Sequence, residues 1–189
     1  MIGRGVVMAV ARDLRDVVGQ GRALWTLRAR SPKAVIDRSV RVTGDPARIS
    51  LGAGVTISGP SSIVVLDGGG LSGSRLAIGE GTYVGEFANL RTAGAPISIG
   101  AHCLIAQSVT IVGSNHGTGA GARIVDQPWS GDGVEIGDDV WIASNCVVVA
   151  GARIGSGAVI AANSVVRGEV PAKAIVAGSP ARQVGERRP

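Results

Sequence analysis

The chain holds two histidines, and one of them, His116, stands in a polar, glycine-flanked setting between Asn115 and Gly117. Imidazoles exchange protons near neutral pH, so a histidine outside a packed core suits the removal of a proton from an alcohol that attacks a thioester. The same features describe an exposed loop histidine, and residue types alone leave both readings open. Other chemistries are short of groups. A catalytic zinc site of three histidines fails for want of ligands, because only His102 and His116 are present, and no metal is expected. Cys103 and Cys146 occupy positions of a repeat, described next, that take small buried side chains, so neither reads as a nucleophile. The glycines form no phosphate-binding loop of the Walker or dinucleotide type.

The elements that must position His116 follow from an unusual composition. Aromatics make up 3% of the 189 residues while glycine numbers 30, so a core must come from small aliphatic side chains. Those side chains recur at every sixth position: Leu51, Ile57, Ile63; Ile78, Val84, Leu90; Ile99, Ile105, Ile111; and Ile136 through Ile142, Val148, Ile154 and Ile160 to Val166. A period of six fits neither a helix nor simple strand alternation. It calls for short strands with one inward anchor each, three to a coil. Small residues recur two positions before the next anchor, as at Val55, Ala88, Cys103, Val109, Cys146, Ala158 and Ser164, and read as corner fillers. Glycine follows many anchors, as at Gly52, Gly79, Gly100, Gly137 and Gly155, where a tight bend is expected. The fold class is all-β: a parallel β-helix shaped as a triangular prism.

Breaks in the register mark loops. Ile63 to Ile78 spans fifteen positions and contains Asp67-Gly68-Gly69-Gly70, and Leu90 to Ile99 spans nine; both read as modest bulges. Ile111 to Ile136 spans twenty-five, so residues 112–135 form the main excursion, an arm long enough to reach a neighbouring subunit, with His116 near its base. Trp141 directly precedes an anchor and so points outward, where a ligand or a second subunit must cover it.

The repeat, aliphatic-Gly-x-x-small-x over residues 36–184, resembles that of the hexapeptide-repeat acyltransferases, and the resemblance implies a left-handed coil against the usual handedness of parallel connections. Leu104 to Ile111, His116, the excursion, and Ile136 to Ile142 together resemble the active-site segment of maltose, galactoside and nodulation-factor O-acetyltransferases. That implies an acetyl-CoA-dependent O-acetyltransferase working as a homotrimer with active sites between subunits. His116 would be the general base for direct attack of a sugar hydroxyl on the thioester, and Ser144 would lie where the developing oxyanion meets a hydrogen-bond donor. Asn89, in Glu86-Phe87-Ala88-Asn89, and Trp141 would contact the acceptor. The segments Ala161 to Arg167 and Ala177 to Arg182 resemble the CoA-binding end, implying Ala162, Arg167, Lys173 and Arg182 as cofactor contacts, the cations facing phosphates. Two positions depart from the family pattern: Arg91 follows the acceptor segment where an acidic residue is common, and Gly168 stands where a lysine is common. The rival readings are a xenobiotic acetyltransferase and a non-catalytic interaction module.

Residues 1–35 lack the repeat and read as a basic amphipathic helix, either a cap on the first coil or a weak membrane-surface anchor. Residues 185–189 read as a tail. The formal charge of +5 suits an anionic co-substrate. No nucleic acid partner is expected, and the absence of a leader pattern or long apolar run predicts a cytoplasmic protein.

Overall fold

Every anchor of the six-residue repeat is a strand residue turned inward. In the computed structural model, which describes residues 18–188, these anchors are buried apart from the partly exposed Leu51 at the first turn. They lie on three sheets whose strands are joined in the order A, B, C around each coil. Sheet A runs Val35–Ile36, Thr56–Ile57, Tyr83–Val84, Leu104–Ile105, Trp141–Ile142, Val159–Ile160, Ala174–Gly178 and Ala181–Glu186. Sheet B runs Arg41–Gly44, Ser62–Val65, Asn89–Arg91, Thr110–Val112, Val147–Val148 and Val165–Val166. Sheet C runs Ile49–Leu51, Arg75–Ile78, Pro96–Ile99, Val134–Ile136, Arg153–Ile154 and Glu169–Val170. Pairing is parallel and in register, for instance Val84↔Ile105↔Ile142↔Ile160, so like residues stack along the axis. Within these three sheets, among the described residues, only the last pair of sheet A is antiparallel.

The corner fillers are buried as expected: Val55, Val109, Cys146, Ala158 and Ser164 are inaccessible and Cys103 nearly so. The glycines after the anchors have a different reason from the bend expected of them. None of the five has positive φ. Instead a Cβ on Gly79 would lie 2.5 Å from the backbone nitrogen of Ala101 in the next coil, and one on Gly155 2.4 Å from that of Ala172. Stacking between coils, not the local turn, excludes a side chain there.

The repeat begins under a helix of residues 18–30. Leu24 and Leu27 of this helix belong to the same hydrophobic core as the coils, and the Gln20 side-chain oxygen accepts a bond from the Val42 backbone N–H. The segment from 18 onward therefore caps the first coil; the rest of the expected N-terminal helix, residues 1–17, lies outside the described residues. At the other end the chain does not finish in a tail at 185. The strand Ala181–Glu186 pairs with Ala174–Gly178, and Arg187 donates to the Asp139 carboxylate at 2.7 Å. The main excursion is also shorter than residues 112–135, because Val112 still pairs with Arg91 and buried Val134 already pairs with Ile97. It comprises residues 113–133.

Candidate active site

The excursion leaves the prism between sheets B and C and returns on itself. Asn115–His116 pairs antiparallel with Trp129–Ser130, His116 opposite Trp129. The two rings meet edge to face, centroids 5.3 Å apart and planes at 68°. Gln127 ties the arm together, its amide donating to the Gly119 and Ala122 carbonyls while its oxygen accepts from the Gly119 N–H. The base is fixed to the coil by Ser114, whose hydroxyl donates to the Ala93 carbonyl. His116 is exposed on this anchored ribbon, with its ring braced on one side.

Trp129 is itself seated by the bulge in the preceding part of the chain. Its backbone N–H donates to the Gly69 carbonyl at 2.8 Å. The indole lies so close over Gly68 and Gly69 that a Cβ would come within 2.7 Å and 2.1 Å of ring atoms. Only glycine fits beneath the ring, and Gly69 also has φ of +57°. Arg48 and the Ser74 backbone N–H hold the bulge by bonding the Asp67 carboxylate, and the Arg48 guanidinium keeps that carboxyl below its ordinary pKa. The repeat and its motifs do not single out Trp129, Gly68 or Gly69. The signal that could have found them is the coincidence of two register breaks, one rich in glycine and one holding a tryptophan.

Asn89 opens its sheet B strand, paired with Thr110 two residues before the strand ends. Its side-chain oxygen is buried without a hydrogen-bond partner among the described residues. Such a group costs about 1–3 kcal/mol while unsatisfied and so marks a place for a donor. The outer face of sheet B continues through Thr110, Val147 and Val165, all half-buried.

The far side of that face is the corner between sheets A and B. Here Ser144 and Ala162 sit in successive coils, the Asn163 N–H donating to the Ser144 carbonyl. Arg182 belongs to the strand added just beyond them, opposite Ala177. Arg167 instead follows the last sheet B strand, at the corner between B and C, about 10 Å away by strand rise. Ser144, Ala162 and Arg182 therefore lie on one side of sheet B and Arg167 on the other, while Lys173 lies at the third corner, between sheets C and A. Arg167, Lys173 and Arg182 are exposed, and none forms an ion pair among the described residues. At Gly168 the surface is open, with nothing within 4 Å of a notional Cβ.

Trp141 is not brought to His116 within the chain. It lies on sheet A, 47% exposed, in an outward row with Tyr83, Leu104 and Val159. A groove of about 740 Å³ on sheet C contains none of the candidates; Glu135 and Arg153 form an ion pair across it, and it holds no histidine or cysteine. Cys103 and Cys146 are buried, and burial pushes both thiols up, which suits packing rather than nucleophilic chemistry.

Residues 133–168 match the family described as bacterial transferase hexapeptide (six repeats). A stretch of 74 residues is 46% identical to 2,3,4,5-tetrahydropyridine-2,6-dicarboxylate N-acetyltransferase of Staphylococcus aureus (strain JH9), covering 38% of this chain and 31% of the relative. The chain thus spans about a third of the length of the curated relatives it matches. A hexapeptide-repeat-containing acetyltransferase of Vibrio cholerae O1 biovar eltor, solved with acetyl coenzyme A, superposes with TM-score 0.58 at 27% identity, over 86% of this chain and 75% of that one. A galactoside acetyltransferase solved with coenzyme A superposes with TM-score 0.52 at 28% identity, over 59% and 55% of the two chains. The chain carries the bacterial transferase hexapeptide repeat on a left-handed parallel β-helix, the fold of the hexapeptide-repeat acetyltransferases.

Proposed function

We propose that the protein is an acetyl-CoA-dependent O-acetyltransferase acting on a hydroxyl of a sugar or polysaccharide-related acceptor, with His116 as general base. The observation that carries this reading is the braced imidazole: His116 is exposed for contact with substrate yet held by Trp129 on a ribbon pinned to the coil. Acetyl-CoA supplies the activated acetyl group. Its phosphates find unpaired cations in Arg167, Lys173 and Arg182, and its arm has the coil backbone at Ser144 and Ala162 to lie along. The structures solved with CoA or acetyl-CoA support that choice of co-substrate.

His116 takes the proton of the acceptor hydroxyl as its oxygen forms a bond to the acetyl carbon. The carbon–sulfur bond breaks, and the proton passes from the imidazole to the departing thiolate. Ser144 is the candidate for a donor to the negative charge developing on the thioester oxygen. Asn89 orients the acceptor through a second hydroxyl, not the reacting one, which donates to the unpartnered amide oxygen. A positioned base contributes about 10²–10⁴-fold to rate.

The working form in this reading is a homotrimer. Sheet A presents an outward row of Val35, Thr56, Tyr83, Leu104, Trp141, Val159 and Ile175, in which Val35, Leu104 and Trp141 are 65%, 49% and 47% exposed. A row of that kind needs cover, and a second copy would bring Trp141 to the face of sheet B that the chain alone keeps from it.

The test is CoA release from acetyl-CoA against sugars, nucleotide sugars, glycosylated antibiotics and amines, for wild type and His116→Ala. Turnover with a hydroxyl acceptor that falls at least about 100-fold in the variant, acetyl-CoA binding being kept, supports the reading. Equal turnover removes His116 as base, turnover only with amines replaces O- by N-acetylation, and a glycosylated antibiotic as sole acceptor favours the xenobiotic enzyme. Failure of both proteins to bind acetyl-CoA leaves the interaction module.

A further inference from the structure

The charge of this protein is not spread evenly along its chain. Residues 1–50 carry ten Lys and Arg against four Asp, a net of +6, while residues 51–189 carry nine against ten, a net of −1. Within the described part of that N-terminal portion, residues 18–50, seven exposed cations stand against Asp37 and Asp45, and one of the seven, Arg48, is paired with Asp67. The candidate catalytic groups lie elsewhere, in coils that begin at Asn89. The basic pole is therefore not explained by the binding of an anionic co-substrate at the far coils.

The cap helix shows what else this pole offers. Its inner face is spent on the core through Leu24 and Leu27. On its outer face Val18, Arg22 and Trp25 follow at spacings of four and three, which places them on one side of the helix. Val18 is 59% exposed and Trp25 72%, so an indole stands in water among cations. Two copies of this pole would set like charges against each other, which disfavours self-association through this face. Single-stranded polyanions lie in grooves beside stacked aromatics, and a convex helix has no groove. A tryptophan flanked by arginines on a convex surface is the arrangement that suits a lipid–water boundary, the ring entering the headgroup layer while the cations meet phosphates.

We infer that the N-terminal pole, through Trp25 and the surrounding exposed cations, docks the protein on the surface of an anionic phospholipid bilayer. Contact is peripheral, since no helix among the described residues is long and apolar enough to cross a membrane. The surface potential of anionic lipid attracts the pole and falls away within a Debye length, so the attachment is reversible and sensitive to salt. An orientation follows: the prism stands with its first coil toward the bilayer and the coils of the candidate site away from it.

The experiment is flotation of the full chain with vesicles of phosphatidylcholine alone or with about 30 mol% phosphatidylglycerol, at about 100 and about 500 mM salt. Binding is expected only to the anionic vesicles, weakened about tenfold or more by the higher salt. Arg22→Glu with Lys33→Glu should weaken it about tenfold, and Trp25→Ser, which removes no core contact, by a smaller factor. The tryptophan emission should shift to the blue on anionic vesicles for wild type and not for Trp25→Phe. Circular dichroism and acetyl-CoA turnover without vesicles, unchanged in these variants, exclude misfolding. Equal binding to both vesicle types, no binding to either, or full binding by the charge-reversed variant overturns the inference. It is also overturned if light scattering shows that Trp25→Ser dissociates an oligomer while lipid binding stays the same, or if polyphosphate or single-stranded DNA is bound and vesicles are not.

Discussion

Two stretches of this prism follow different rules. From Ile136 to Val170 the chain turns without interruption, each anchor stacked on the next and each corner closed by a small residue. From Ser62 to Ile136 the same repeat is broken at residues 66–74, 92–95 and 113–133, and the first and last of these breaks meet. Gly68 and Gly69 of the first receive Trp129 of the last, and Trp129 braces His116. In the regular stretch a residue answers to its stacked neighbours; in the broken one the packing serves an exposed imidazole. Stability and activity should therefore separate along the axis.

The largest expected effect tests the regular half. Ile160→Ala removes a fully buried anchor between Ile142 and Val176, and should cost about 2–5 kcal/mol of stability. Thermal and denaturant unfolding measure the loss, and the fraction that stays folded should keep its turnover per active site. A drop in turnover beyond the loss of folded protein would mean that the two regions are not separable.

Gly69→Ala tests the other half. The new methyl would stand 2.1 Å from the Trp129 ring, on a residue with φ of +57°, so the ring and the ribbon behind it must move. Misplacement of a catalytic group by about 1 Å costs on the order of 100-fold in rate. Steady-state kinetics should show that fall in kcat, while the unfolding midpoint drops less than in Ile160→Ala. Unchanged kcat would show that the bulge merely packs and does not position His116.

These two variants also separate what the sequence discloses from what it hides. The period of six is written in side-chain type, because each anchor must be aliphatic whatever its neighbours are; the repeat alone assigns Ile105, Ile142 and Ile160 to the interior. Cys103 and Cys146 are legible as corner fillers for the same reason. Contacts between coils are not written that way. Gly68 and Trp129 are far apart in the chain, and their meeting depends on the pitch of the coil and on the direction in which the arm folds back. The glycines after the anchors show the limit from another side: their positions are legible, but the clash of Gly79 with Ala101 arises only when coils stack. Likewise the separation of Arg167 from Arg182 and of Trp141 from His116 depends on which of three faces each residue takes, and a one-dimensional repeat does not number its faces.

Trp129→Phe sharpens the comparison with a smaller change. Phenylalanine keeps an aromatic edge for His116 but fills less of the seat over Gly68 and Gly69. An edge-to-face pair contributes about 0.5–1.5 kcal/mol, so kcat should fall by roughly threefold to tenfold with little change in the unfolding midpoint. A loss as large as that of Gly69→Ala would assign Trp129 a direct role toward substrate rather than a positioning one.

The smallest effect lies at the base of the bulge and depends on pH. The Asp67 carboxylate accepts from Arg48 at 2.6 Å and from the Ser74 N–H at 3.0 Å, and the Arg48 bond is the main cause that lowers its pKa. A carboxyl whose folded pKa lies below its unfolded value binds fewer protons folded than unfolded. Its stabilising contribution is thus complete above the unfolded value, near pH 4, and disappears as pH falls through the lower folded value. Wild type should therefore unfold at a slightly higher temperature than Asp67→Asn at neutral pH, and the two melting curves should converge as the solution is acidified below about pH 4. Since the pair is partly open to water, high salt should narrow the same gap. A gap that persists unchanged under acid and salt would mean that Asp67 holds the bulge through shape alone, and the seat of Trp129 would then owe nothing to charge.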